Sequence, residues 1–336
     1  MNGTLSANTR REGKRMGDRR RSRAIAECWS WARVSATALV LAAGVWTACD
    51  RQPATAPAPG RPPLVFTTLA PVAFFAEQIG GENVRVESLV QPGQSPHTFE
   101  PTPRQMAALA DAAMYLHLDE PFEERLIQKL RASNQKVRFV DVREGIDLLP
   151  LDVGHDEHDH EGHDHHEGHE HGPLDPHIWL DPRRVRVACD VMCDAMSREW
   201  PDHAAAFRAN CERLKERLDQ LDGELRAKLR PIAGKPFFVT HAAFGYFAEA
   251  YGLEQVSVEV GGRQPGPREL EVIADRLGLA KPKRVFYDPQ SSRNLLEALR
   301  SQAGVEAEPL DPLRKDYFEN MRHIADSIVA SIGDAQ

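Results

Sequence analysis

Residues 203–229 read HAAAFRANCERLKERLDQLDGELRAKL and form the most regular segment of the chain. Its apolar side chains keep the spacing of one helix face: Phe207, Leu214, Leu218, Leu221 and Leu225. Pro201 and Asp202 precede the segment and Pro231 ends it. At ~1.5 Å per residue such a helix is about 40 Å long, enough to run the length of a small protein. We therefore predict one long helix over residues 201–230.

Short apolar strands alternate with helical stretches on both sides of this segment. Before it, LVFTTLAP (residues 64–71) is typical of a buried strand and PVAFFAEQIGG (71–81) of a helix. After it, KPFFVTH (235–241) and LEQVSVEV (253–260) are typical of strands that flank a helix. Such alternation indicates parallel sheets covered by helices. We predict an α/β fold of two lobes, each with a parallel-type sheet wrapped by helices, joined by one long rigid helix.

Composition divides the chain further. QPATAPAPGRPP is a Pro/Ala stretch without apolar periodicity, which is typical of an extended tether. An acidic, histidine-rich tract later interrupts the strand–helix pattern. The predicted segments are a signal peptide (1–48), a tether (49–63), an N-terminal lobe (64–200) with a histidine-rich loop (155–171), the linking helix (201–230) and a C-terminal lobe (231–336).

The N-terminal segment has the pattern of an export signal. Residues 1–48 contain nine Lys and Arg against three acidic residues, and residues 34–48 are uncharged and mostly apolar. WTAC at residues 46–49 resembles a lipoprotein cleavage box, which predicts a lipidated Cys49 that attaches the protein to the membrane. Trp46 replaces the usual leucine, so ordinary cleavage and an uncleaved anchor stay open. All three place the folded part outside the cytoplasm, in the periplasm or its equivalent.

The charge of the chain excludes one class of ligand. The formal net charge is −8, and removing the leader with its excess of six positive charges leaves −14. Nucleic-acid phosphates are repelled by so acidic a protein. We therefore expect no nucleic-acid partner and favour a cationic ligand.

Eight of the fourteen histidines lie within residues 155–171, interleaved with seven acidic residues and two glycines. No apolar residue interrupts this tract, so it cannot form a core and is predicted to be a loop. Imidazoles and carboxylates at this density bind Zn²⁺, Cu²⁺ or Ni²⁺ weakly and with little selectivity. The predicted auxiliary sites are His155, His158, His160, His163, His165, His166, His169 and His171.

Three other histidines follow predicted strands or the tract. His97 lies in GQSPHTFEPTP, His177 in DPHIWLDP, and His241 ends FFVTH. Ligands collect at the carboxyl ends of strands in α/β lobes, and neutral imidazole is the commonest protein metal ligand. A lone histidine there is more often structural, but three beside such a tract predict a metal site. The remaining histidines have ordinary neighbours and are interpreted as structural: His117, His203 and His323.

A tetrahedral zinc site needs a fourth donor. Asp311 in EPLDPLRKDYF and Asp288 in VFYDPQSS both follow predicted strands. Each Asp-Pro pair is also typical of a turn or a helix cap. The residues alone leave Asp311, Asp288 and water open as the fourth ligand.

Three cysteines remain outside the leader, and they include no CxxC pair. A thiolate zinc site is therefore not expected. An odd number cannot pair completely within one chain, so buried free thiols are the favoured interpretation of Cys189, Cys193 and Cys211.

Taken together, these segments resemble the ABC-transporter solute-binding proteins for zinc and manganese. The resemblance runs from about residue 64 to residue 332. It is carried by PHTFEPTP, DPHIWLDP after the tract, FFVTHAAFGYFAEAYGL, VFYDPQSS, and LDPL followed by Tyr317 and Asn320. It implies two similar lobes bridged by a rigid helix, with the metal in the cleft between them. The histidine at 241 and the tract resemble the zinc branch; Mn²⁺ or another divalent transition metal is the alternative.

The resemblance also implies the ligands and the partner. Residue by residue it carries over to His97 and His177 from the first lobe and to His241 and Asp311 from the second. The implied protein is a monomer that captures Zn²⁺ without turnover and docks on an ABC-transporter permease in the membrane. Two departures from the family pattern are Asp288 in place of glutamate, and HAAF in place of His-Asp-Ala-Phe.

Two other functions fit some of these features. A secreted zinc hydrolase also uses three histidines and an open position, although HExxH is absent from the sequence. A surface metal buffer or adhesin would use the tract as its main binding site. We expect the binding protein of an importer rather than either of these.

Overall fold

In the computed structural model of the chain, the described residues are 60–133, 136–151, 174–258, 282–291 and 304–332, together with residue 277, residues 293–298 and residues 300–301. The predicted leader, most of the tether and the predicted histidine-rich loop lie outside them. No helix in the described ranges is long and apolar enough to cross a membrane.

The first lobe contains a four-stranded parallel sheet with strand order β2-β1-β3-β4. Its strands are β1 (Leu64–Thr67), β2 (Arg85–Ser88), β3 (Met114–His117) and β4 (Arg138–Asp141). Its helices are α1 (Ala70–Gly80), α2 (Pro103–Ala110) and α3 (Glu123–Ser133). They supply the crossover connections that parallel neighbours require.

Two antiparallel helices follow and connect the lobes. They are α4 (Pro182–Glu199) and α5 (Ala204–Leu229), joined by a 3₁₀ turn at Pro201–His203. The Asp181 carboxylate accepts a hydrogen bond from the Arg183 N–H and so caps the start of α4. The long helix predicted from its apolar spacing is α5, and its buried face consists of Phe207, Cys211, Leu214, Leu218, Leu221, Leu225 and Leu229.

The second lobe repeats the arrangement of the first. Its four-stranded parallel sheet has strand order β6-β5-β7-β8. The strands are β5 (Pro236–Val239), β6 (Glu254–Ser257), β7 (Arg284–Tyr287) and β8 (Glu306–Pro309). The described helices are α6 (Gly245–Tyr251), α7 (Arg293–Ala298) and α8 (Tyr317–Ile332), and Leu277 is also helical.

The buried face of α5 unites the two lobes. The helix contacts α4 and α1 of the first lobe, and it also contacts α6 and α8 of the second. One continuous apolar core consequently includes both Phe66 of the first sheet and Phe237 of the second. A smaller cluster around Val285 lies in the second lobe. The predicted fold class is confirmed: two parallel sheets wrapped by helices, with one long helix. The segment boundaries stay a prediction.

We predict that Leu218→Ala lowers the free energy of unfolding by about 2–5 kcal/mol. Leu218 is fully buried in the middle of α5, so its truncation leaves a cavity where the lobes share a core. Urea denaturation measures the loss. Gln220→Ala, an exposed change on the same helix, is the matched control and should stay within about 0.5 kcal/mol of the parent. Equal losses in the two variants would contradict this role of α5.

Candidate metal centre

Three histidines from separate parts of the chain meet at one point. His97 lies in a 3₁₀ turn after β2, His177 precedes the turn Ile178–Leu180, and His241 lies two residues after β5. The Nε2 atom of His241 is 3.1 Å from Nε2 of His97 and 3.3 Å from Nε2 of His177. Two nitrogens bound tetrahedrally to zinc at ~2.0–2.1 Å lie about 3.3 Å apart. The spacing therefore suits three nitrogens of one tetrahedral metal ion.

The surroundings keep the imidazole of His97 neutral. His177 and His241 are buried, while His97 retains an exposed edge. Desolvation, followed by repulsion from His241 and His177, lowers the pKa of His97 to about 4. A neutral imidazole presents a lone pair and coordinates a metal, whereas a protonated one cannot. Within the described ranges, this is the only group of three or more His, Cys, Asp or Glu side chains close enough to share an ion.

The ring of His177 is fixed by a carboxylate that the sequence analysis missed. The Asp175 Oδ1 atom accepts hydrogen bonds from the His177 backbone N–H at 2.8 Å and from its Nδ1 at 2.6 Å. With the proton held on Nδ1, the lone pair of Nε2 faces the cluster. Histidines that bind metals usually have such an outer partner. The signal was present, since Asp175 lies two residues before His177 in DPHIWLDP.

The two candidate aspartates are placed differently. The histidines border a small cavity of about 20 Å³, and Asp288, Pro312 and Leu313 also line it. Asp311 is adjacent to this lining; its Oδ1 accepts a hydrogen bond from the Leu313 N–H at 2.9 Å. Burial raises the pKa of the Asp311 carboxyl. Neither aspartate lies as close to the three histidines as these lie to one another.

A second group of buried acids lies near the histidines and was also missed. Glu123 is fully buried and accepts hydrogen bonds from the hydroxyls of Thr68 and Tyr115 and from two backbone N–H groups. The neighbouring Glu120 is buried too, and its Oε2 atom has no hydrogen-bond partner among the described residues. Glu120 interacts electrostatically with His241. Nothing in the local sequence EPFEE distinguishes these acids from exposed helix residues.

The histidines that we interpreted as structural lie outside this cluster. His117, at the end of β3, is partly buried, and burial lowers its pKa. His203 and His323 do not belong to the group either. The eight histidines of residues 155–171 lie outside the described residues. Cys189, Cys193 and Cys211 are buried free thiols, as expected.

Comparison with known proteins gives a consistent result. The family profile described as zinc-uptake complex component A, periplasmic (ZnuA), matches residues 65–331. The zinc-binding protein AdcA of Streptococcus pyogenes serotype M3 is 31% identical over 276 residues, which cover 77% of this chain and 54% of that protein. The chain thus spans about half the length of such relatives. The high-affinity zinc uptake system protein ZnuA of Yersinia pestis is 29% identical over 265 residues, covering 74% and 82%.

Solved structures agree with the observed fold. A crystal structure of ZnuA superposes with a TM-score of 0.71 at 31% identity and covers 80% of this chain and 99% of its own. The structure of Zn(II)-bound AdcA from Streptococcus pneumoniae has a TM-score of 0.64 at 26% identity, covering 81% of this chain and 58% of its own.

We predict that the free energy of unfolding falls with rising pH because of Glu120, and that Glu120→Gln reduces this pH dependence. Burial, followed by repulsion from Glu123, raises the pKa of Glu120 to about 8. The ordinary pKa of a glutamate side chain is about 4.5. At pH values between this and about 8, the folded protein keeps the Glu120 carboxyl protonated, whereas the unfolded chain does not. The contribution of Glu120 to stability is therefore lost as the pH rises through that window. Urea denaturation of the metal-free protein at several pH values measures it.

Glu120→Gln keeps the shape of the side chain and removes the titration. The free energy of unfolding of this variant should exceed that of the parent most at the alkaline end of the window. The two values should converge toward the acidic end. Glu124→Gln, an exposed change on α3, is the control. A constant difference between parent and Glu120→Gln across the window would refute the prediction.

Proposed function

Since the chain belongs to the family of periplasmic zinc-uptake components, we propose that it is the extracytoplasmic solute-binding protein of a zinc ABC importer. In this role it captures Zn²⁺ and passes it to a permease in the membrane. The observation that carries the proposal is the convergence of three histidine Nε2 atoms at tetrahedral spacing.

The proposed ligands are His97 and His177 from the first lobe and His241 from the second. Three imidazoles favour Zn²⁺ over Mn²⁺, which prefers carboxylate, carbonyl and water oxygens. Because the proposed ligands come from two lobes, a partner that moves one lobe relative to the other would separate His241 from the other two and release the ion. Mn²⁺ or another divalent metal is the alternative cargo.

For the fourth position we propose Asp311. The segment that follows it, Pro312 and Leu313, borders the cavity. In the metal-free protein, burial raises the pKa of the Asp311 carboxyl, and a cation bound beside it would lower that pKa and stabilise the carboxylate. Asp288 is the alternative, because it lines the cavity directly.

Two further parts of the proposal concern residues outside the described ranges. The lipidated Cys49 would attach the protein to the membrane beside its permease. The histidines of residues 155–171 would add weak sites that raise the local metal concentration without changing the tight site. An antiparallel bridge joins Pro150 and Leu174, so the described parts of the chain before and after that tract come together.

Binding without turnover is proposed because the family is one of uptake components. A zinc hydrolase would use the same three imidazoles together with a metal-bound water. Zinc-dependent ester hydrolysis by the purified protein would favour that second function.

We predict that a variant lacking residues 155–171 binds one zinc ion tightly and loses this site on substitution of any one ligand. His97→Ala, His177→Ala and His241→Ala should each weaken binding by about a hundredfold or more, because each removes one of the strong nitrogen donors. Isothermal calorimetry measures the affinity. His323→Ala, an exposed histidine outside the cluster, is the control.

A variant that still binds zinc as tightly as the parent would show that the substituted histidine is not a ligand. Loss of the tight site on deletion of residues 155–171 alone would show that the tract supplies primary ligands.

We predict that Asp311→Ala weakens zinc binding about tenfold, equivalent to about 1.4 kcal/mol. The loss of zinc affinity is smaller than for a histidine substitution, because water can take the fourth position. Asp288→Ala is the comparison and should stay within about threefold of the parent. A competition assay with a chelator of known affinity measures both, and the reverse ranking would identify Asp288 as the fourth ligand.

A further inference from the structure

Tyr246 connects the second lobe to the first by two hydrogen bonds at one oxygen. Its side chain is fully buried in α6. The hydroxyl donates to the carbonyl oxygen of Asp175 at 2.7 Å and accepts from the N–H of Leu149 at 3.1 Å. Burial raises the pKa of Tyr246 to about 12, so the hydroxyl keeps the proton that it donates. Both partners belong to the first lobe.

These two partners belong to the segment that holds a proposed metal ligand. Asp175 fixes the ring of His177 through its Oδ1 atom. The Asp175 N–H donates in turn to the Leu149 carbonyl at 2.8 Å. Tyr246, Leu149 and Asp175 therefore form a closed set of hydrogen bonds, and His177 lies directly beside it.

The residue before Tyr246 shapes the same contact. A Cβ atom at Gly245 would lie 2.9 Å from the Asp175 Oδ2 atom. That is closer than real Cβ contacts, so with any larger residue either the carboxylate that orients His177 or the start of α6 must shift. Here the need for glycine comes from space and not from the backbone, because Gly245 is not among the glycines with positive φ.

The ring of Tyr246 is held in place as well. The guanidinium of Arg184 lies over it, 4.5 Å from the ring centroid. Arg184 pairs with Asp181 of the first lobe at 2.8 Å and with Glu249 of α6 at 2.7 Å. The position of the Tyr246 hydroxyl is consequently set by contacts with residues of both lobes.

We propose that Gly245 and Tyr246 are positioning residues through which the second lobe orients His177, a ligand carried by the first. The inference rests on the proposed zinc-binding function. As a consequence, zinc binds tightly only while α6 is packed against the first lobe. When α6 separates from the first lobe, His177 loses its fixed orientation and the ion is released faster.

The test compares Tyr246→Phe and Gly245→Ala with matched controls in the full chain. Tyr246→Phe leaves one buried and one partly buried backbone group without their partner and should weaken zinc binding about tenfold, mainly through faster dissociation. Gly245→Ala crowds the carboxylate itself and should weaken zinc binding by about tenfold to a hundredfold, the range found for outer partners of metal-bound histidines.

Two controls separate positioning from packing. Tyr317→Phe removes another buried hydroxyl, one with no hydrogen-bond partner among the described residues. Gly223→Ala places a methyl group on α5 where no atom lies within 4 Å. Both should bind zinc like the parent. Thermal unfolding of each metal-free variant shows whether it is folded.

Three measurements decide the outcome: zinc dissociation into excess chelator, the visible absorption of the Co²⁺-loaded protein, and the imidazole ¹⁵N resonances of His177 in the metal-free protein. We expect Tyr246→Phe and Gly245→Ala to change all three, and the controls to change none. The ¹⁵N resonances report the hydrogen bond to Asp175 without zinc, so they test positioning even if the parent binds no zinc and the proposed function fails. Parent-like dissociation and resonances in both variants, or equal changes in the controls, would overturn the inference.

Discussion

The packing of both lobes on one face of α5 is the constraint on which the rest of the structure depends. Seven buried side chains along this helix contact helices of both lobes. Sliding or rotating either lobe would expose apolar surface, at a cost of about 25 cal/mol for each Å². The segments that carry His97 and His241 are therefore held at a fixed separation. A fixed separation is what allows nitrogens from different lobes to lie 3.1 Å apart.

The Nε2 atoms of three imidazoles meet at one point, where a single cation would contact all of them. Protonation of His97 does not compete with such a cation at neutral pH, because desolvation and the neighbouring histidines lower the pKa of His97 to about 4. The buried carboxylate of Asp175, which is hydrogen-bonded to His177, adds to the attraction for a divalent ion. The centre thus combines three neighbouring nitrogen donors with a carboxylate that fixes one of them, an arrangement that suits a metal ion.

The proposed ligands come from both lobes, which relates metal binding to the proposed delivery. His177 is fixed within the first lobe by Asp175, while Tyr246 reaches Asp175 from the second. A site that depends on contacts between the lobes can bind metal tightly while the lobes are packed together. It binds metal weakly when a partner separates them. This suits an uptake component better than a permanent metal store. The relatives named AdcA are about twice as long as the matched region.

The sequence by itself determined the fold class and the three histidines. The apolar spacing of Phe207 to Leu225 specifies a helix locally, and His97, His177 and His241 each lie in a recognisable motif at or near the end of a strand or tract. Such features depend on neighbours in the chain, so a pattern reveals them. The tertiary structure alone decided which groups surround the histidines. Tyr246 and Asp175 are 71 positions apart, and the burial of Glu120 depends on the packing around it. No local pattern encodes contacts of that kind, because they arise only when two lobes, folded from distant segments, pack on the same helix.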